Sequence, residues 1–298
     1  MPSVVERFAP SPTGPAHLGH AYSALRGFEA ARASNGRFLL RMEDLDATRA
    51  RPLWEAAICA DLAWLGLSWE TPVLRQSTRS AAYGAALADL RRRGLIYPCL
   101  CTRKDVAAAL SAPQEIAGAA FEAKAPMGPD GPAYPGTCRL HPPDPARLAR
   151  EPYAWRLDMR RAVAALEGEA LEFVELEEGP QGETGRIKID PAWLVEGCGD
   201  VVLARKDAPA SYHLAVVVDD AFQGTTHVTR GRDLFAATAV HRLLQALLGA
   251  PTPLYRHHRL IRDEKGRRLA KRDGDRSLAA LRAEGWSPGD VRRALGMA

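Results

Sequence analysis

Two histidines, His17 and His20, lie one helical turn apart and directly follow a loop rich in proline and glycine. The segment Val4–Ala9 before the loop predicts a short buried strand, and helical apolar spacing between residues 16 and 35 predicts a helix after it. A helix that starts after such a loop favours bound anions, because its free backbone N–H groups and its dipole point at the ligand. Imidazole donors can stabilise charge that develops on a phosphate. The pattern therefore predicts a phosphate-binding site.

A second phosphate-binding element is predicted at Lys265–Arg272, where five of eight residues are lysine or arginine. A positioned ammonium group lowers the barrier when pyrophosphate leaves ATP, and Lys271 is the residue that we assign to this role. The last 48 residues hold twelve basic against six acidic side chains, which suits a polyanionic partner. On charge alone, a solvated basic surface is the commoner outcome.

Length and composition indicate an ordinary globular protein. The 298 residues are 46% apolar and 26% charged, enough for about two domains, and the net charge is +4. No apolar run approaches the ~20 residues that a membrane span needs, so we expect a cytoplasmic protein without a membrane partner. The five cysteines are an odd, scattered set, which argues against a secreted disulfide framework and predicts reduced thiols.

The order of elements indicates a parallel sheet covered by helices. Arg37–Met42 predicts a second strand, and helices are expected at about 52–65 and 79–93. This alternation places ligands at the carboxyl ends of strands, where Arg7 and Glu43 would lie. From about Cys99 to Pro191 the amino-acid composition changes, with one part rich in glycine and proline and another acidic. We interpret this stretch as an insertion.

Alternation resumes after the insertion. Strands are predicted at 201–204 and 213–218, where they would complete the sheet, and a helix at about 233–248. The tail predicts a strand near residues 254–255, the basic loop, and two short helices from Leu278, of which the second starts at Ser287-Pro288. The adjacent His257 and His258 would contact adenine or form a partly exposed pair.

Three cysteines form a candidate metal site in the insertion. Cys99 and Cys101 are followed by Cys138, and three thiolates in a loop-rich segment are suitable ligands for zinc. The spacing leaves the fourth ligand open, with His141 a candidate on ordinary zinc chemistry. Buried free cysteines are the alternative interpretation.

The segment from Arg7 to His20 resembles the HIGH signature of class I aminoacyl-tRNA synthetases, in the form found in the glutamyl branch. Residues 268–272 resemble the KMSKS loop of the same class, with the second lysine kept and the first lysine, the methionine and both serines replaced. The resemblance implies a Rossmann-like class I catalytic domain of the α/β class. It also implies an α+β zinc-bearing insertion and a small C-terminal region like the stem-contact fold.

The resemblance also implies roles for particular residues. A dicarboxylic substrate needs two cationic groups and one carboxylate for its ammonium group, and Arg7, Arg230 and Glu43 supply that set. The glutamate-binding residues are thus Arg7, Ser11, Glu43, Tyr212 and Arg230. The catalytic residues are His17, His20 and Lys271, and the ATP-binding residues are Pro10, His17, Gly19, His20, Arg268, Leu269 and Lys271. One structural zinc ion would be held by Cys99, Cys101, Tyr134 and Cys138.

The implied domains are a split nucleotide-binding domain (1–98 and 192–250), the insertion (99–191) and the C-terminal region (251–298). Full glutamyl-tRNA synthetases continue with an anticodon-binding region, whereas this chain stops 27 residues after Lys271. The resemblance therefore implies a shortened relative that activates glutamate with ATP and Mg²⁺ and transfers it to the queuosine base of tRNA(Asp). We expect a monomer that contacts the anticodon stem-loop. The alternatives are a minimal enzyme that charges the 3′ end of tRNA(Glu) and an adenylate-forming ligase without RNA.

Overall fold

The computed structural model describes residues 3–111, 114–116, 119–121, 126–262 and 276–297. Its strands are β1 (Val5–Phe8), β2 (Arg37–Met42), β3 (Glu70–Arg75), β4 (Ile96–Cys99), β5 (Gln114–Ile116), β6 (Ala119–Phe121), β7 (Met127–Gly128), β8 (Gly131–Pro132), β9 (Ala154–Leu157), β10 (Glu172–Glu175), β11 (Gly185–Lys188), β12 (Val202–Ala204), β13 (His227–Gly231) and β14 (Leu254–His258). None of the described helices is long and apolar enough to cross a membrane.

The α-helices are α1 (Leu18–Ala33), α2 (Pro52–Trp64), α3 (Ser80–Arg92), α4 (Arg103–Ser111), α5 (Thr137–Leu140), α6 (Pro145–Leu148), α7 (Met159–Ala164), α8 (Tyr212–Gln223), α9 (Ala237–Leu248), α10 (Leu278–Ala283) and α11 (Pro288–Ala294). Short 3₁₀ turns lie at Gln76–Arg79 and Arg232–Leu234, and a π-helical turn lies at Trp193–Cys198.

A seven-stranded sheet in the order β11-β10-β14-β13-β1-β2-β3 forms the centre of the molecule. All neighbours in it are parallel except β10 and β11. Arg230 pairs with His257 across β13 and β14, and Arg7 lies near the carboxyl end of β1. Parallel strands end at the same edge, so side chains from distant parts of the sequence meet there.

A second, three-stranded sheet in the order β12-β9-β4 is antiparallel. Cys99 ends β4 and pairs with Ala154 of β9. The hairpin of β7 and β8 lies beside the π-helical turn, where Gly128 approaches the Cys198 carbonyl so closely that an added Cβ would lie 3.0 Å from it. Together these elements carry the cysteine-bearing part of the chain.

Most of the predicted elements are confirmed. The first two strands, the first three helices, the helix before residue 248, the strand after residue 253 and the two C-terminal helices are present, with bounds shifted by a few residues. Ser287 caps α11 with Pro288 in its first turn, as predicted. Helix α1 ends at Ala33, two residues before the predicted end of the helical spacing at residue 35.

The predicted strand at 213–218 is wrong, because these residues belong to helix α8. Helix α8 is buried on several sides between neighbouring elements, including α3 and α9, so its sequence lacks the polar face that marks a surface helix. A continuous apolar run of this length does not distinguish a buried strand from a buried helix.

The assignment of residues 201–204 to the main sheet is also wrong, since β12 pairs with β9 in the small sheet. The main sheet is instead completed by β13, β14 and β10. Strand β10 lies within the predicted insertion of 99–191, so the two sheets do not divide at Pro191. The acidic character of Leu166–Glu178 concealed this strand.

Two adjacent carboxylates on α8 connect the helix with its surroundings. The fully buried Asp219 accepts hydrogen bonds from Gln76 Nε2 (3.0 Å), Arg79 Nε (3.0 Å) and the Tyr83 hydroxyl (2.7 Å). Asp220 points about 100° further round the helix, towards the ends of β1 and β2. Asp219 therefore fixes α8 against α3, while Asp220 contributes to the pocket described next.

Candidate active site

A cavity of about 560 Å³ opens at the carboxyl ends of the central strands. Its lining includes nine residues that the sequence predicted for substrate binding: Arg7, Pro10, Ser11, His17, Gly19, His20, Glu43, Tyr212 and Arg230. The remaining predicted residues, Arg268, Leu269 and Lys271, lie outside the described residues. The structure thus brings the residues predicted to bind the amino acid and those predicted to bind phosphate together in one cavity.

The two histidines form the start of helix α1. His17 is the N-cap, and its Nδ1 accepts a hydrogen bond from the Gly19 N–H (3.1 Å), while His20 Nδ1 accepts from the His17 N–H (3.2 Å). Because both Nδ1 atoms are acceptors, each neutral imidazole carries its proton on Nε2. A Cβ at Gly19 would lie 3.0 Å from the His17 ring, so glycine permits this close approach. The two rings are therefore fixed as donors at the helix N-terminus.

A buried cluster of charged side chains lies behind the cavity wall that faces the start of α1. Asp220 accepts from Arg7 Nε (3.1 Å) and Arg41 Nη1 (2.6 Å), and Arg41 Nη2 also donates to Glu43 (3.4 Å). Arg41 is fully buried, and Gln223 accepts a further hydrogen bond from it. The cluster orients Arg7 and Glu43 at the cavity wall before any ligand binds.

The pKa values of the two carboxylates in this cluster shift in opposite directions. Burial raises the pKa of Glu43, and the charges of Arg41 and Arg7 offset only part of that effect. For Asp220, burial also opposes ionisation, but Arg7 and Arg41 outweigh it and lower its pKa. Burial likewise opposes the charge of Arg41, yet Asp220 and Glu43 raise its pKa. A substrate ammonium group beside Glu43 would favour its ionised form.

Arg230 is held by five acceptors. Its Nε donates to His257 Nε2 (3.0 Å), and its Nη2 donates to Thr238 Oγ1 (2.7 Å) and the Leu234 carbonyl (3.2 Å). Its Nη1 donates to His241 Nδ1 (3.1 Å) and to the Tyr212 hydroxyl (3.4 Å). A guanidinium group has five N–H donors, so each has a partner here. The contact with Tyr212, which faces the cavity, is the longest of the five.

The histidines behind Arg230 are neutral. Burial lowers the pKa of His257 to about 4, although its hydrogen bond with Glu175 acts in the opposite direction. His257 Nδ1 faces Glu175 Oε2 at 2.5 Å, so its Nε2 presents a lone pair to Arg230. Burial and the charge of Arg230 hold the pKa of His241 well below its usual value. Burial raises the pKa of Tyr212, which keeps its hydroxyl proton available for donation.

His257 and His258 differ from the partly exposed pair that was one interpretation of the sequence, because both are buried. His257 lies behind Arg230, whereas His258 lines the cavity. His258 Nδ1 faces the Arg259 carbonyl at 2.8 Å, which leaves its buried Nε2 as an acceptor without a partner among the described residues. Contact of His258 with adenine stays a prediction.

The three predicted cysteine ligands converge at the end of strand β4, where Cys99 lies. The sulfur atoms of Cys99, Cys101 and Cys138 lie within 4.8 Å of one another. The Tyr134 hydroxyl is 3.5 Å from Cys99 Sγ and 3.3 Å from Cys101 Sγ. His141, the alternative fourth ligand, is exposed and lies outside this group of converging atoms. Three sulfurs and one oxygen around a common centre fit a tetrahedral zinc ion.

Arg156 adds a positive charge beside the cysteine cluster. Its Nε donates to Cys99 Sγ (3.3 Å), and its guanidinium lies over the Tyr134 ring at 3.8 Å from the centroid. A cation in this position stabilises thiolates, which are the form that binds metals. Of the other two cysteines, Cys198 is buried and Cys59 is half-buried, and neither joins the cluster.

Sequence reasoning missed the residues that hold the predicted ones in place: Arg41, Glu175, Asp220, Thr238 and His241. The one available signal was the pair of aspartates at the end of an otherwise apolar run in Ser211–Asp220, since a charge within a buried element normally has a partner. No spacing rule connects Glu175 with residues 55 or more positions away.

Comparison with known proteins agrees with this geometry. Residues 3–119 and 182–297 match the family model of the class I tRNA synthetases (E and Q), catalytic domain. The chain therefore belongs to the class I tRNA synthetase family of the glutamate and glutamine type. Within that family, the chain is similar to proteins named glutamyl-Q tRNA(Asp) synthetase.

Two relatives with that name support the finer placement. The protein from Rhodobacter capsulatus is 51% identical over 99% of this chain and 100% of its own length. The protein from Symbiobacterium thermophilum is 42% identical over 96% of this chain and 83% of its own.

Solved structures support the fold. A glutamate-tRNA synthetase from Elizabethkingia anophelis is 27% identical with a TM-score of 0.70 over 91% of this chain. The chain spans 53% of the length of that protein. A methionyl-tRNA synthetase from Mycobacterium tuberculosis, at 13% identity and a TM-score of 0.56, shares the fold over 99% of this chain and 64% of its own.

The neutral state of His257 predicts a specific pH dependence of stability. Its folded pKa of about 4 lies below the value of about 6.5 in an unfolded chain, so the unfolded state binds the proton first as pH falls. The free energy of unfolding should therefore decrease between about pH 6.5 and pH 4, with up to ~3 kcal/mol from this residue. His257→Gln should flatten that slope in urea denaturation at several pH values. His141→Gln, which changes an exposed histidine, should keep the wild-type slope, and equal slopes for all three proteins would contradict the assignment.

Proposed function

We propose that this protein activates glutamate with ATP and transfers it to the queuosine base of tRNA(Asp). The observation that carries the proposal is the single cavity in which the His17–His20 helix start lies together with Arg7, Glu43 and Arg230. Two guanidinium groups and one carboxylate match the two carboxylates and one ammonium group of glutamate. The relatives at 51% and 42% identity carry the name glutamyl-Q tRNA(Asp) synthetase, which supports the same acceptor.

Glutamate would enter with its ammonium group towards Glu43 and a carboxylate towards Arg230. His241, His257 and Thr238 are buried, whereas Tyr212 and Leu234 line the cavity. The contact to Tyr212, at 3.4 Å, is the longest of the five, so it is the one that we expect a substrate to replace. The carboxylate would then accept from Arg230 Nη1 and from the Tyr212 hydroxyl. A binding site with its donors already oriented spends little of its binding energy on reorganisation.

In the activation step, a glutamate α-carboxylate oxygen attacks the α-phosphorus of ATP and the bond to the β-phosphate oxygen breaks. Glutamyl-adenylate and pyrophosphate result. His17 and His20 would donate from Nε2 to phosphate oxygens as negative charge develops, and the α1 N-terminus adds its dipole. Class I synthetases use ATP with Mg²⁺. Lys271 would neutralise the leaving phosphates; it lies outside the described residues.

In the transfer step, a ring hydroxyl of queuosine attacks the carbonyl carbon of the adenylate. The bond from that carbon to the phosphate oxygen breaks, AMP leaves, and the hydroxyl proton is lost as the glutamyl ester forms. Members of the family act on tRNA, an amino acid and ATP. The anticodon stem-loop would bind through its phosphates, so binding should weaken as the salt concentration rises.

The insertion would be stabilised by one zinc ion bound by Cys99, Cys101, Cys138 and Tyr134. The sulfur and oxygen atoms converge there, and Arg156 supplies a neighbouring positive charge. A structural zinc ion contributes folding free energy because it binds only the assembled ligand set.

Transfer of labelled glutamate tests the acceptor. With ATP, label should appear on tRNA(Asp) that contains queuosine and should remain after the 3′-terminal adenosine is removed. Unmodified tRNA(Asp) is the control and should stay unlabelled. Label on tRNA(Glu) that disappears with the 3′ adenosine would instead show a charging enzyme, which the likeness to solved glutamate-tRNA synthetases makes the second candidate.

Arg230→Lys tests the amino-acid pocket. Lysine has three donors on a point charge and cannot reproduce the planar contacts to Tyr212, His241 and His257. We expect the KM for glutamate in ATP–pyrophosphate exchange to rise about 30- to 100-fold, or roughly 2–3 kcal/mol, with little change in the KM for ATP.

Arg186→Lys is the matched control for this variant, because Arg186 lies exposed on edge strand β11. It should leave both KM values unchanged. An Arg230→Lys enzyme with wild-type affinity for glutamate would contradict the pocket assignment.

Metal analysis tests the zinc site. Purified wild-type protein should contain about one zinc ion per chain, and a Cys101→Ser, Cys138→Ser double variant should lose it, since thiolates are the preferred ligands. The double variant should also unfold at a lower temperature. Cys59→Ser, which changes a half-buried cysteine outside the cluster, should keep the metal. Full zinc content in the double variant would reject this ligand set.

A further inference from the structure

A chain of hydrogen bonds leads from Arg230 to the protein surface. Arg230 Nη1 donates to His241 Nδ1 (3.1 Å), and His241 Nε2 is 3.0 Å from His213 Nδ1. His213 Nε2 is 3.1 Å from both carboxylate oxygens of Asp130. The three groups between the guanidinium and solvent come from α9, from α8 and from the turn between β7 and β8.

The direction of every bond in this chain is determined by its two ends. Arginine has only donors, so His241 Nδ1 must be an acceptor and its proton lies on Nε2. That proton is donated to His213 Nδ1, which places the His213 proton on Nε2, facing Asp130. An ionised carboxylate has only acceptors, so it completes the same order. Both imidazoles are thereby fixed in one tautomer.

Asp130 is placed for this contact by the fold of the insertion. Its hairpin lies against the π-helical turn, and four residues later Tyr134 forms a bridge with Gly199. The Asp130 side chain is 60% exposed, whereas that of His213 is only 3% exposed. The positive side chains Arg205 and Arg156 also lie within electrostatic range of Asp130. Asp130 is therefore the solvent-accessible end of an otherwise buried chain.

We propose that Asp130, His213 and His241 are positioning residues that orient Arg230 for the amino-acid substrate. Without the carboxylate, the two imidazoles can reverse, with a proton on each Nδ1. His241 would then direct an N–H at the Arg230 N–H, and the guanidinium would lose one of its acceptors and rotate. The insertion would thus act on the glutamate pocket through a surface aspartate that contacts no substrate. This inference rests on the proposed activation of glutamate.

Asp130→Ala tests the relay with two independent measurements. In glutamate-dependent ATP–pyrophosphate exchange, we expect the KM for glutamate to rise about tenfold while kcat stays within about twofold, because the loss of one orienting hydrogen bond weakens binding of the substrate. In nitrogen-15 NMR of the full chain, His213 and His241 should carry the proton on Nε2 in the wild type. The variant should show Nδ1–H signals from both. Asp130→Glu, which keeps the carboxylate, should recover most of the wild-type KM.

Asp207→Ala is the matched control, since Asp207 is another exposed turn aspartate. It should leave the KM and both tautomers unchanged. In a His213→Phe background, Asp130→Ala should have no further effect on the KM, because the link to Arg230 is already broken.

Three outcomes would overturn the inference. The first is a wild-type KM with wild-type tautomers in Asp130→Ala, and the second is an equal rise in KM in Asp207→Ala. The third is a combined effect of Asp130→Ala and His213→Phe on the KM that equals the sum of their separate effects in free energy. A wild-type enzyme without glutamate-dependent exchange would contradict the proposed function instead, and the tautomers would still decide whether the relay exists.

Discussion

Three buried arginine side chains, Arg7, Arg41 and Arg230, lie around one cavity. The arrangement of their hydrogen-bond acceptors determines most of the geometry of the site. A buried charge without partners is costly, so each guanidinium group must be surrounded by carboxylates, lone pairs or carbonyls. Asp220 serves Arg7 and Arg41 together. Among the described residues, Arg230 has no carboxylate in direct contact, and its partners are neutral imidazoles, two hydroxyls and a carbonyl. The charge of Arg230 is therefore not offset by a directly bonded carboxylate of the described part of the chain.

The topology of the sheet explains how these acceptors meet. Strands β1, β2, β13 and β14 end at one edge, although they come from both ends of the chain. Helix α8 crosses close to that edge and contributes Tyr212, His213 and Asp220 within less than three turns. Its other aspartate, Asp219, anchors the helix to α3. Since one helix carries both the anchor and the pocket residues, packing of the core determines the geometry of the pocket.

The cavity has two chemically different sides. On one side, the α1 N-terminus presents backbone N–H groups and two imidazoles to the cavity. On the other side, guanidinium groups and the Glu43 carboxylate line it. The predicted insertion, residues 99–191, contributes to the second side from a distance, through Glu175 behind His257 and Asp130 behind His213. Its cysteine cluster and its hairpin are joined through Tyr134, which bridges to Gly199. The cysteine cluster and the cavity are thus parts of one connected structure.

The sequence by itself determined the local elements and the chemistry of the cavity wall. The histidine pair at a helix start, the strand that ends before Glu43 and the three cysteines all have local signatures, because capping, apolar periodicity and ligand type depend on near neighbours in the chain. Sequence pattern failed at α8, where a continuous apolar run fitted a strand as well as a buried helix. It also failed at β10, whose acidic residues concealed a strand of the main sheet.

Only the tertiary structure decided which groups support the pocket. Asp220, Glu175 and Asp130 are far in sequence from the arginines they serve, and His241, although only 11 residues from Arg230, lies on a different element. Nothing in their local sequence specifies a partner. Their roles depend on which strands lie side by side, which side of α8 faces the sheet edge, and where the insertion hairpin packs. These are outcomes of long-range packing, in which buried charges select their partners by proximity in space.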